Sequence, residues 1–359
     1  MDYLKDQIIT YIGNKRKILP FIERSLNQIG IKDYTFLDLF SGSGIVSRLA
    51  KVHGAKKIIT NDLEYYSMVL NGVFLRNEEG NKKEFEEMKQ EILSKPLFEG
   101  WVSENYAPKD DNDIQRGERC FYTRENALII DSYLESLKKL PCEVADMFLA
   151  PLIYEASVHT NTSGVFKGFY KNKQGIGQFG GEGKNALQRI CGKIDPQFPV
   201  FCPNETENII ISADASRVAK DTEIVGQAKG IDITYIDPPY NQHPYGSNYF
   251  MLNAIAKCKC PEEISKVSGI PKDWNRSIYN KRVEGVMQLL KDIENVDSKY
   301  VLLSYSSEAY LPIKDMVAEL AKIGLITNLQ EIDYNVFRGS RNLSNRPKKL
   351  QEYLITIRK

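Results

Sequence analysis

The feature that most constrains the fold is the alternation of short apolar segments with helix-like segments in the N-terminal part of the chain. Residues 35–39 and 57–60 have the composition of buried strands, and helix-like segments at 15–29, 45–52 and 64–93 surround them. A strand–helix–strand order implies parallel strands that are joined by helical crossovers. The sequence therefore predicts an α/β fold.

Strand-like segments return far along the chain, which indicates that both of its ends contribute to one sheet. These later segments are residues 208–212, 231–236, 299–305, 325–332 and 352–358. With the two N-terminal strands they predict a doubly wound, mostly parallel seven-stranded sheet whose last two strands form an antiparallel hairpin. Residues 95–204 are predicted to be an inserted region, because a long glycine- and lysine-rich stretch there has no periodicity. We therefore expect residues 1–94 and 205–359 to form one domain.

Composition excludes several classes of protein. The 359 residues carry a net charge of only +1, so contact with nucleic acid has to rely on local basic patches. The chain has no run of roughly 20 apolar residues that could span a bilayer, and no apolar segment near its N-terminus that would indicate a secretory signal. The six cysteines lack the spacing of a zinc site, so no metal is predicted. A reduced, cytoplasmic protein is expected.

The stretch FLDLFSGSGIVSRLA, residues 36–50, places a glycine-rich loop between a strand and a helix. Glycines allow the backbone to approach a ligand closely, and the new helix offers free N–H groups. The loop lacks G-x-G-x-x-G and G-x-x-x-x-G-K-[ST], which argues against a dinucleotide or a nucleoside triphosphate. Asp38 at the strand end and Asp62 after the next strand favour a cationic ligand that bears an amino acid, such as S-adenosylmethionine. The alternatives are glycines that serve packing alone and an Asp62 that caps a helix, with Glu64 as the competing acid.

The stretch YIDPPYNQHPYGSNYF, residues 235–250, ends a predicted strand with an acid, two prolines and a tyrosine. This pattern suits chemistry on an exocyclic base amine. The Asp237 carboxylate and the Pro238 carbonyl can accept hydrogen bonds from the two N–H groups of the amine, while Tyr240 stacks on the base. A base inside a duplex cannot enter such a site, so it has to be flipped out. The alternative is a turn that only terminates the strand.

Three motifs in this order resemble those of a known enzyme family. They are YIGNKRK (11–17), FLDLFSGSG (36–44) and DPPY (237–240), and they are similar to the motifs of the Dam-like alpha subgroup, or D12 class, of adenine-N6 DNA methyltransferases in restriction-modification systems. The resemblance covers most of the chain. It implies the fold of S-adenosylmethionine-dependent methyltransferases, with residues 95–204 as an inserted target-recognition domain.

The resemblance also implies roles for individual residues. Asp237, Pro238, Pro239 and Tyr240 match the catalytic motif. The residues that match cofactor-binding positions are Tyr11, Gly13, Lys15, Asp38, Phe40, Gly42, Gly44, Asp62 and Asp214. The implied cofactor is S-adenosyl-L-methionine.

Two basic segments are predicted to contact double-stranded DNA. Residues 159–193 hold six lysine or arginine residues against one acid, with asparagine, threonine and glutamine side chains that can address base edges. Residues 337–349 form a second basic segment that suits phosphates. The residues assigned to DNA are Asn161, Thr162, Lys167, Lys171, Lys173, Arg338 and Arg341. Phe166, Phe169 and Tyr170 are candidates to fill the gap that a flipped base leaves, and the alternative for both segments is a solvated surface loop.

The sequence leaves the methyl acceptor open. The leading hypothesis is a site-specific adenine-N6 methyltransferase that acts on duplex DNA as a monomer and protects it from a cognate restriction endonuclease. Cytosine-N4 in DNA and adenine in RNA share the amine chemistry, and a non-catalytic DNA-binding subunit on the same fold is a further alternative. An NAD-dependent dehydrogenase is disfavoured, because its G-x-G-x-x-G loop is missing. The recognition sequence cannot be read from the chain.

Overall fold

The computed structural model describes residues 2–78, 80–181, 183–184, 186–220, 230–240, 242–335 and 349–359. Its strands are β1 (Thr35–Asp38), β2 (Lys57–Asn61), β3 (Glu207–Ile211), β4 (Ile231–Ile236), β5 (Ser298–Ser306), β6 (Leu325–Asn335) and β7 (Lys349–Arg358). Its helices are α1 (Leu19–Ile29), α2 (Ile45–Val52), α3 (Tyr65–Phe74), α4 (Lys82–Ser94), α5 (Trp101–Tyr106), α6 (Arg124–Leu137), α7 (Cys142–Val158), α8 (Leu187–Ile190), α9 (Ala215–Val218), α10 (Tyr245–Asn248), α11 (Phe250–Ala256), α12 (Arg282–Asn295) and α13 (Ile313–Ile323). Two 3-10 helices cover Lys15–Ile18 and Ile278–Asn280.

The strands form one seven-stranded sheet in the order β3-β2-β1-β4-β5-β7-β6. Neighbouring strands from β3 to β5 pair in parallel, whereas β7 is antiparallel to both β5 and β6. This arrangement confirms the predicted mostly parallel seven-stranded sheet and its terminal hairpin. The strand order reverses between β1 and β4, and in open α/β sheets such a reversal opens a ligand crevice at the carboxyl ends of the strands.

Helices cover both faces of the sheet, which explains why its strands are apolar throughout. Successive residues of β1 point to opposite faces. Phe36 packs on one side with Ile22 of α1 and Leu49 of α2. Leu37 packs on the other side in a cluster that includes Leu289 of α12 and parts of α13. The doubly wound architecture predicted from the sequence is therefore confirmed.

Two predicted helices differ from the structure. The helix predicted over 64–93 is interrupted, because α3 ends at Phe74 and α4 begins only after Asn81, whose side chain caps the new helix. The helix predicted over 15–29 begins as a 3-10 turn, and α1 follows with a proline in its first turn. The first difference is a break within the predicted helix, and the second concerns only the first turn of the predicted helix.

Helices of the predicted insertion pack directly beside the crevice. Ile130 of α6 and Phe148 of α7 share a hydrophobic core with Val69 of α3 and Leu252 of α11. Residues of the predicted insertion therefore share one hydrophobic core with α3 and α11, which lie outside its predicted bounds. Among the helices described here, none combines the length and the apolar character that a membrane span requires.

Candidate active site

A cleft with about 690 Å³ of empty volume opens at the carboxyl ends of β1, β2, β3 and β4. The predicted site residues that line it are Tyr11, Phe40, Gly42, Asp62, Asp214, Asp237 and Pro239. Glu64, the competing acid, and Tyr245 also line the cleft. Asn275 and Tyr279 line it too, and the sequence did not single them out. The cleft lies in the crevice that the strand reversal predicts.

The glycine loop after β1 is held from two sides. Gly42 and Gly44 have φ values of +51° and +73°, a region that strongly favours glycine. A Cβ atom at Gly42 would lie 2.4 Å from the Tyr11 hydroxyl, and one at Gly44 would lie 2.3 Å from Asn71 Oδ1. The backbone N–H of Gly42 donates to Asp62 Oδ2 at 2.8 Å. Both glycines are therefore required by the backbone and by close neighbours.

Asp62 joins the loop to the start of α3. Its second oxygen, Oδ1, accepts from the N–H of Glu64 at 2.9 Å. Burial raises the pKa of Asp62 to about 6, and three backbone N–H donors oppose that rise. Asp62 is therefore both a structural anchor of the loop and an acid on the cleft wall.

Asp38 lies behind the glycine loop rather than on the cleft. Its side chain is buried, and Ser47 donates a hydrogen bond to Oδ2 at 2.7 Å. Its other oxygen has no hydrogen-bond partner among the described residues. Burial raises the pKa of Asp38 to about 7. A direct contact between Asp38 and a ligand stays a prediction, as does one for Gly44.

Glu64 is a further acid on the cleft wall. The side-chain amides of Asn253 and Asn275 both donate to its Oε2, and Asn275 does so at 3.2 Å. Burial raises the pKa of Glu64 to about 7 in spite of these donors. Since the sequence places Asn253 and Asn275 far from residue 64, no local pattern could reveal this arrangement.

Asp214 and Phe40 complete the far end of the cleft. Asp214 caps α9, and its Oδ1 accepts from the N–H of Ser216 at 2.9 Å and from its hydroxyl at 2.6 Å. The Phe40 ring contacts Tyr279 edge-on, with ring centroids 5.0 Å apart. Both residues lie where the sequence prediction needs them for contact with a cofactor, although the contact itself stays a prediction.

Asp237 follows β4 and forms an ion pair with a buried lysine. Lys15 Nζ lies 3.0 Å from Asp237 Oδ1, and the side chains are 6% and 15% exposed. Burial has the largest single effect and lowers the pKa of Lys15, but Asp237, Tyr240, Glu352 and Tyr235 together raise it well above its ordinary value, so the ammonium stays charged. Burial raises the pKa of Asp237 to about 6, while Lys15 lowers it. The Lys15 ammonium contacts the Asp237 carboxylate and does not line the cleft, so a contact between Lys15 and a cofactor stays a prediction.

A second, smaller pocket with about 360 Å³ of empty volume adjoins the cleft. Its lining residues are Ile12, Gly13, Asp237, Pro238, Pro239, Tyr240, His243, Tyr245 and Asn248. Asp237, Pro239 and Tyr245 line both spaces. Gly13 belongs to this second pocket, where a Cβ atom would lie 2.8 Å from the Tyr245 hydroxyl. The catalytic motif predicted from the sequence thus forms the boundary between two neighbouring spaces.

The predicted DNA-contacting residues fall into two groups. Lys167, Lys171 and Lys173 have exposed side chains. Asn161 and Thr162 are buried instead. The Asn161 amide donates to the carbonyls of Cys120 and Gln178, and its oxygen accepts from the N–H of Gly180. The hydrogen-bonding groups of the Asn161 side chain are used inside the protein, so the prediction that Asn161 contacts DNA bases needs correction. Thr162 is buried, and this burial argues against a contact between Thr162 and DNA.

The aromatic candidates of the same segment also divide. Phe166 is buried in a cluster with Phe121 and Phe250, so it cannot fill the gap left by a flipped base in this arrangement. Phe169 and Tyr170 are half-buried, and Lys171 Nζ lies 4.9 Å from the Phe169 ring centroid. Arg338 and Arg341 lie outside the described residues. Within the part of the chain that the structure describes, no group of three or more histidine, cysteine or acidic side chains is arranged to hold a metal ion.

Comparison with known proteins agrees with the fold and the cleft, which together define an α/β methyltransferase. The sequence model of the D12 class of N6 adenine-specific DNA methyltransferases matches residues 11–179 and 203–318. The chain is 30% identical over 356 residues to the type II methyltransferase M.CviAII of Paramecium bursaria Chlorella virus 1, covering 97% of this chain and 98% of that protein. It is 29% identical to the type II methyltransferase M.NlaIII of Neisseria lactamica over 98% of this chain and 99% of that protein.

The chain therefore belongs to the family of D12 class N6 adenine-specific DNA methyltransferases. It is an enzyme that transfers a methyl group from a methyl donor to N6 of adenine at specific sites in DNA. Membership favours adenine over cytosine, DNA over RNA, and an active enzyme over a binding subunit. The type II methyltransferase M.FokI of Planomicrobium okeanokoites is also similar, at 27% identity, but this chain covers only 52% of its length.

Proposed function

We propose that the larger cleft binds S-adenosylmethionine and that the adjoining pocket receives an adenine flipped out of duplex DNA. The observation that carries this proposal is that Asp237, Pro239 and Tyr245 line both spaces. A methyl donor in one space and an amine in the other would meet at the catalytic motif, which is the geometry that in-line transfer requires.

The residues on the cleft suit a cationic donor that also carries hydroxyl groups. Asp62, Glu64, Asp214 and Asp237 place four acids on one wall, and three of them are buried enough that their pKa values rise to about 6 or 7. Gly42 lines the cleft and carries no side chain, so the backbone of the loop can lie close to a ligand. S-adenosylmethionine supplies a methyl group on a positively charged sulfur, and the acids offset that charge. Asp62 or Glu64 would bind ribose hydroxyls, and Asp214 and Phe40 would lie near the adenine of the donor.

The acceptor pocket positions the amine. The Asp237 carboxylate and the Pro238 carbonyl would accept the two N6–H groups, and Tyr240 would stack on the base. As the bond between nitrogen and methyl carbon formed, the bond between that carbon and the donor sulfur would break, and the donor would leave as a neutral thioether. The Asp237 carboxylate would stabilise the positive charge on the nitrogen and accept its surplus proton. Lys15 fixes Asp237 Oδ1 through their ion pair at 3.0 Å. Most of the rate enhancement would then come from position and from oriented charge.

The exposed lysines at 167, 171 and 173 support a DNA-contacting role for the inserted residues 95–204, which we take to be the target-recognition region. We further propose that the enzyme acts as a monomer on each strand, that it works in the cytoplasm, and that it protects DNA from a cognate restriction endonuclease. The support for protection is the likeness to type II methyltransferases. Arg338 and Arg341 would add phosphate contacts from the second basic segment.

The test is methylation of a plasmid in a host that lacks its own adenine methylation, read by single-molecule sequencing. N6-methyladenine at one short motif is the expected result, and it also supplies the recognition sequence. The control is the Asp237→Ala variant at equal expression, which should leave the plasmid unmodified. A folded wild-type protein that binds S-adenosylmethionine but modifies no adenine in the plasmid would contradict the proposal.

A further inference from the structure

Glu352 is a buried acid in the middle of β7. It lies opposite Ser306 of β5 and Ile332 of β6. Two residues further on, Leu354 lies on the same face of the strand and is fully buried in an apolar cluster with Ile332. Glu352 itself has only 7% of its surface exposed. A carboxylate in such a place is costly unless charged or hydrogen-bonding partners compensate for the lost water.

The partners of Glu352 are two residues of the catalytic network. Lys15 Nζ lies 3.7 Å from Glu352 Oε2 and 3.0 Å from Asp237 Oδ1, so one ammonium lies between two carboxylates. The hydroxyl of Tyr240 donates to Glu352 Oε1 at 3.3 Å. Lys15 Nζ also lies 5.8 Å from the centroid of the Tyr240 ring. Glu352 is thereby linked to both side chains that would contact the base.

Glu352 itself is outside both spaces of the active site. It lines neither the larger cleft nor the smaller pocket. Its Oε2 atom has no hydrogen-bond partner among the described residues and is held there by the charge of Lys15. An effect of Glu352 on methyl transfer must therefore act through Lys15, through Tyr240 or through its charge on Asp237, and not through contact with a ligand.

We propose that Glu352 is a positioning residue for methyl transfer, which fixes the Tyr240 ring and divides the charge of Lys15 between itself and Asp237. This inference rests on the proposed roles of Asp237 and Tyr240. It adds a residue of β7, a strand separated from β4 by β5, to the residues that support methyl transfer. It also explains why an acid occupies a position in β7 where the alternation of the strand calls for an apolar residue.

The division of charge has a consequence for Asp237. With Glu352 present, Lys15 offsets only part of the negative charge of Asp237, which therefore remains a strong acceptor for the base amine. The titratable groups that face Asp237 are Lys15, Glu352, Asp38, Tyr11, Tyr235, Tyr240 and Tyr245. Burial raises the pKa of each of the tyrosines, so they stay neutral at neutral pH. Glu352 raises the pKa of Asp237 and Lys15 lowers it, so loss of the Glu352 charge should lower it further.

The Glu352→Gln variant separates charge from hydrogen bonding, because the amide oxygen can still accept from Tyr240. We expect kcat to fall about tenfold or more, since the Asp237 acceptor is weakened and displaced. The acid limb of the kcat/KM profile should move to lower pH by about 0.5–1 unit. The Kd for S-adenosylmethionine should stay within about twofold, because Glu352 does not line the donor cleft.

The measurement is incorporation of labelled methyl groups into unmethylated plasmid by purified full-length protein, across the pH range, with melting temperature and donor Kd measured in parallel. Glu331→Gln is the matched control, because it removes the same charge from an exposed position on the neighbouring strand β6. Its kcat and pH profile should equal those of the wild type. Glu352→Ala, which also removes the acceptor for Tyr240, should lose more activity than Glu352→Gln.

The outcomes separate this inference from the proposed function. An active wild type with a Glu352→Gln variant of the same kcat and the same acid limb would overturn the positioning role while leaving the proposed function intact. If the Glu352→Gln variant has a lower kcat than the wild type but the acid limb of its kcat/KM profile lies at the same pH, the proposed division of the Lys15 charge between Glu352 and Asp237 is overturned. A wild type that binds the donor and methylates no adenine would overturn the proposed function itself, and with it the inference that depends on it.

Discussion

At the scale of single residues, Asp62 and Asp237 make different contacts although both are half-buried acids on one cleft. The Asp62 oxygens accept hydrogen bonds from the N–H groups of Gly42 and Glu64, so Asp62 holds the glycine loop. Asp237 pairs with Lys15 and borders the smaller pocket, which we propose receives the base. Asp237→Ala should abolish methyl transfer and leave the donor Kd within a few-fold, whereas Asp62→Ala should weaken donor binding about tenfold or more. Calorimetric donor titration beside a methylation assay checks this, and an equal loss of donor affinity in a folded Asp237→Ala variant would remove Asp237 from its assigned role.

The pKa of Asp237 also predicts how activity depends on pH. Burial raises the pKa to about 6, and the carboxylate must be ionised to accept the base amine. The value of kcat/KM should therefore be constant above about pH 7 and fall about tenfold per unit below about pH 6. Initial rates at constant ionic strength between pH 5 and 9 test this. A profile that stays flat down to about pH 5 would mean that Asp237 does not act as an ionised acceptor.

At the scale of elements, strand signals are the most reliable part of the sequence. The segment 231–236 is predicted as a strand, and β4 has the same bounds, because an apolar run between a glycine and two prolines has sharp limits. The helix predicted over 64–93 is wrong in its middle, where Asn81 starts a new helix. Local sequence also could not show that the Asn161 side-chain amide is fully hydrogen-bonded to the backbone of residues 120, 178 and 180. Contacts between distant segments decide such cases, and no short motif encodes them.

The same limit applies to the candidate site. Motifs locate the glycine loop and the DPPY segment, since each depends on a few adjacent residues. Glu352 and Asn275 reach the site from other parts of the chain, and no local pattern marks them. The N-terminal motif singles out Lys15 but could not show its ion pair with Asp237, because a motif gives position along the chain and not the direction of a side chain.

The basic segment around residues 167–173 provides a prediction at the element scale. Lys167, Lys171 and Lys173 have exposed side chains. Replacing all three by alanine should weaken DNA binding and reduce the slope of log K against log salt concentration by up to about 2.7, because each phosphate that is no longer neutralised removes about 0.9 from the slope. Lys322→Ala is the control, because Lys322 is exposed in the last turn of α13, away from the cleft edge of the sheet. Binding of a fluorescent duplex between about 50 and 200 mM salt measures the slopes. An unchanged slope in the triple variant would exclude these lysines from the interface.

At the scale of the whole molecule, four buried or half-buried acids lie at the carboxyl edge of the sheet, and they cost stability when no ligand is present. The pKa values of Asp38 and Glu64 rise to about 7 and those of Asp62 and Asp237 to about 6, all through burial. In each case the folded pKa exceeds the unfolded one, so the folded protein binds more protons between about pH 4 and 7. These four groups therefore favour folding more strongly as the pH falls through that window. A bound cation would offset the same charges at neutral pH, which couples folding to the methyl donor.

Asp38→Asn tests this coupling, because Asp38 lies behind the loop and its replacement removes one buried charge without opening the cleft. Without donor, the variant should be more stable than the wild type by about 1–3 kcal/mol at pH 8, and the difference should shrink as the pH falls to about 5, where the wild-type carboxyl is protonated in the folded state. S-adenosylmethionine should raise the melting temperature of the wild type more than that of the variant, since the variant has less negative charge for the cation to offset. Thermal unfolding at several pH values, with and without donor, measures both effects. A variant that is less stable than the wild type at pH 8 and equally stabilised by the donor would show that Asp38 contributes packing and hydrogen bonding rather than charge.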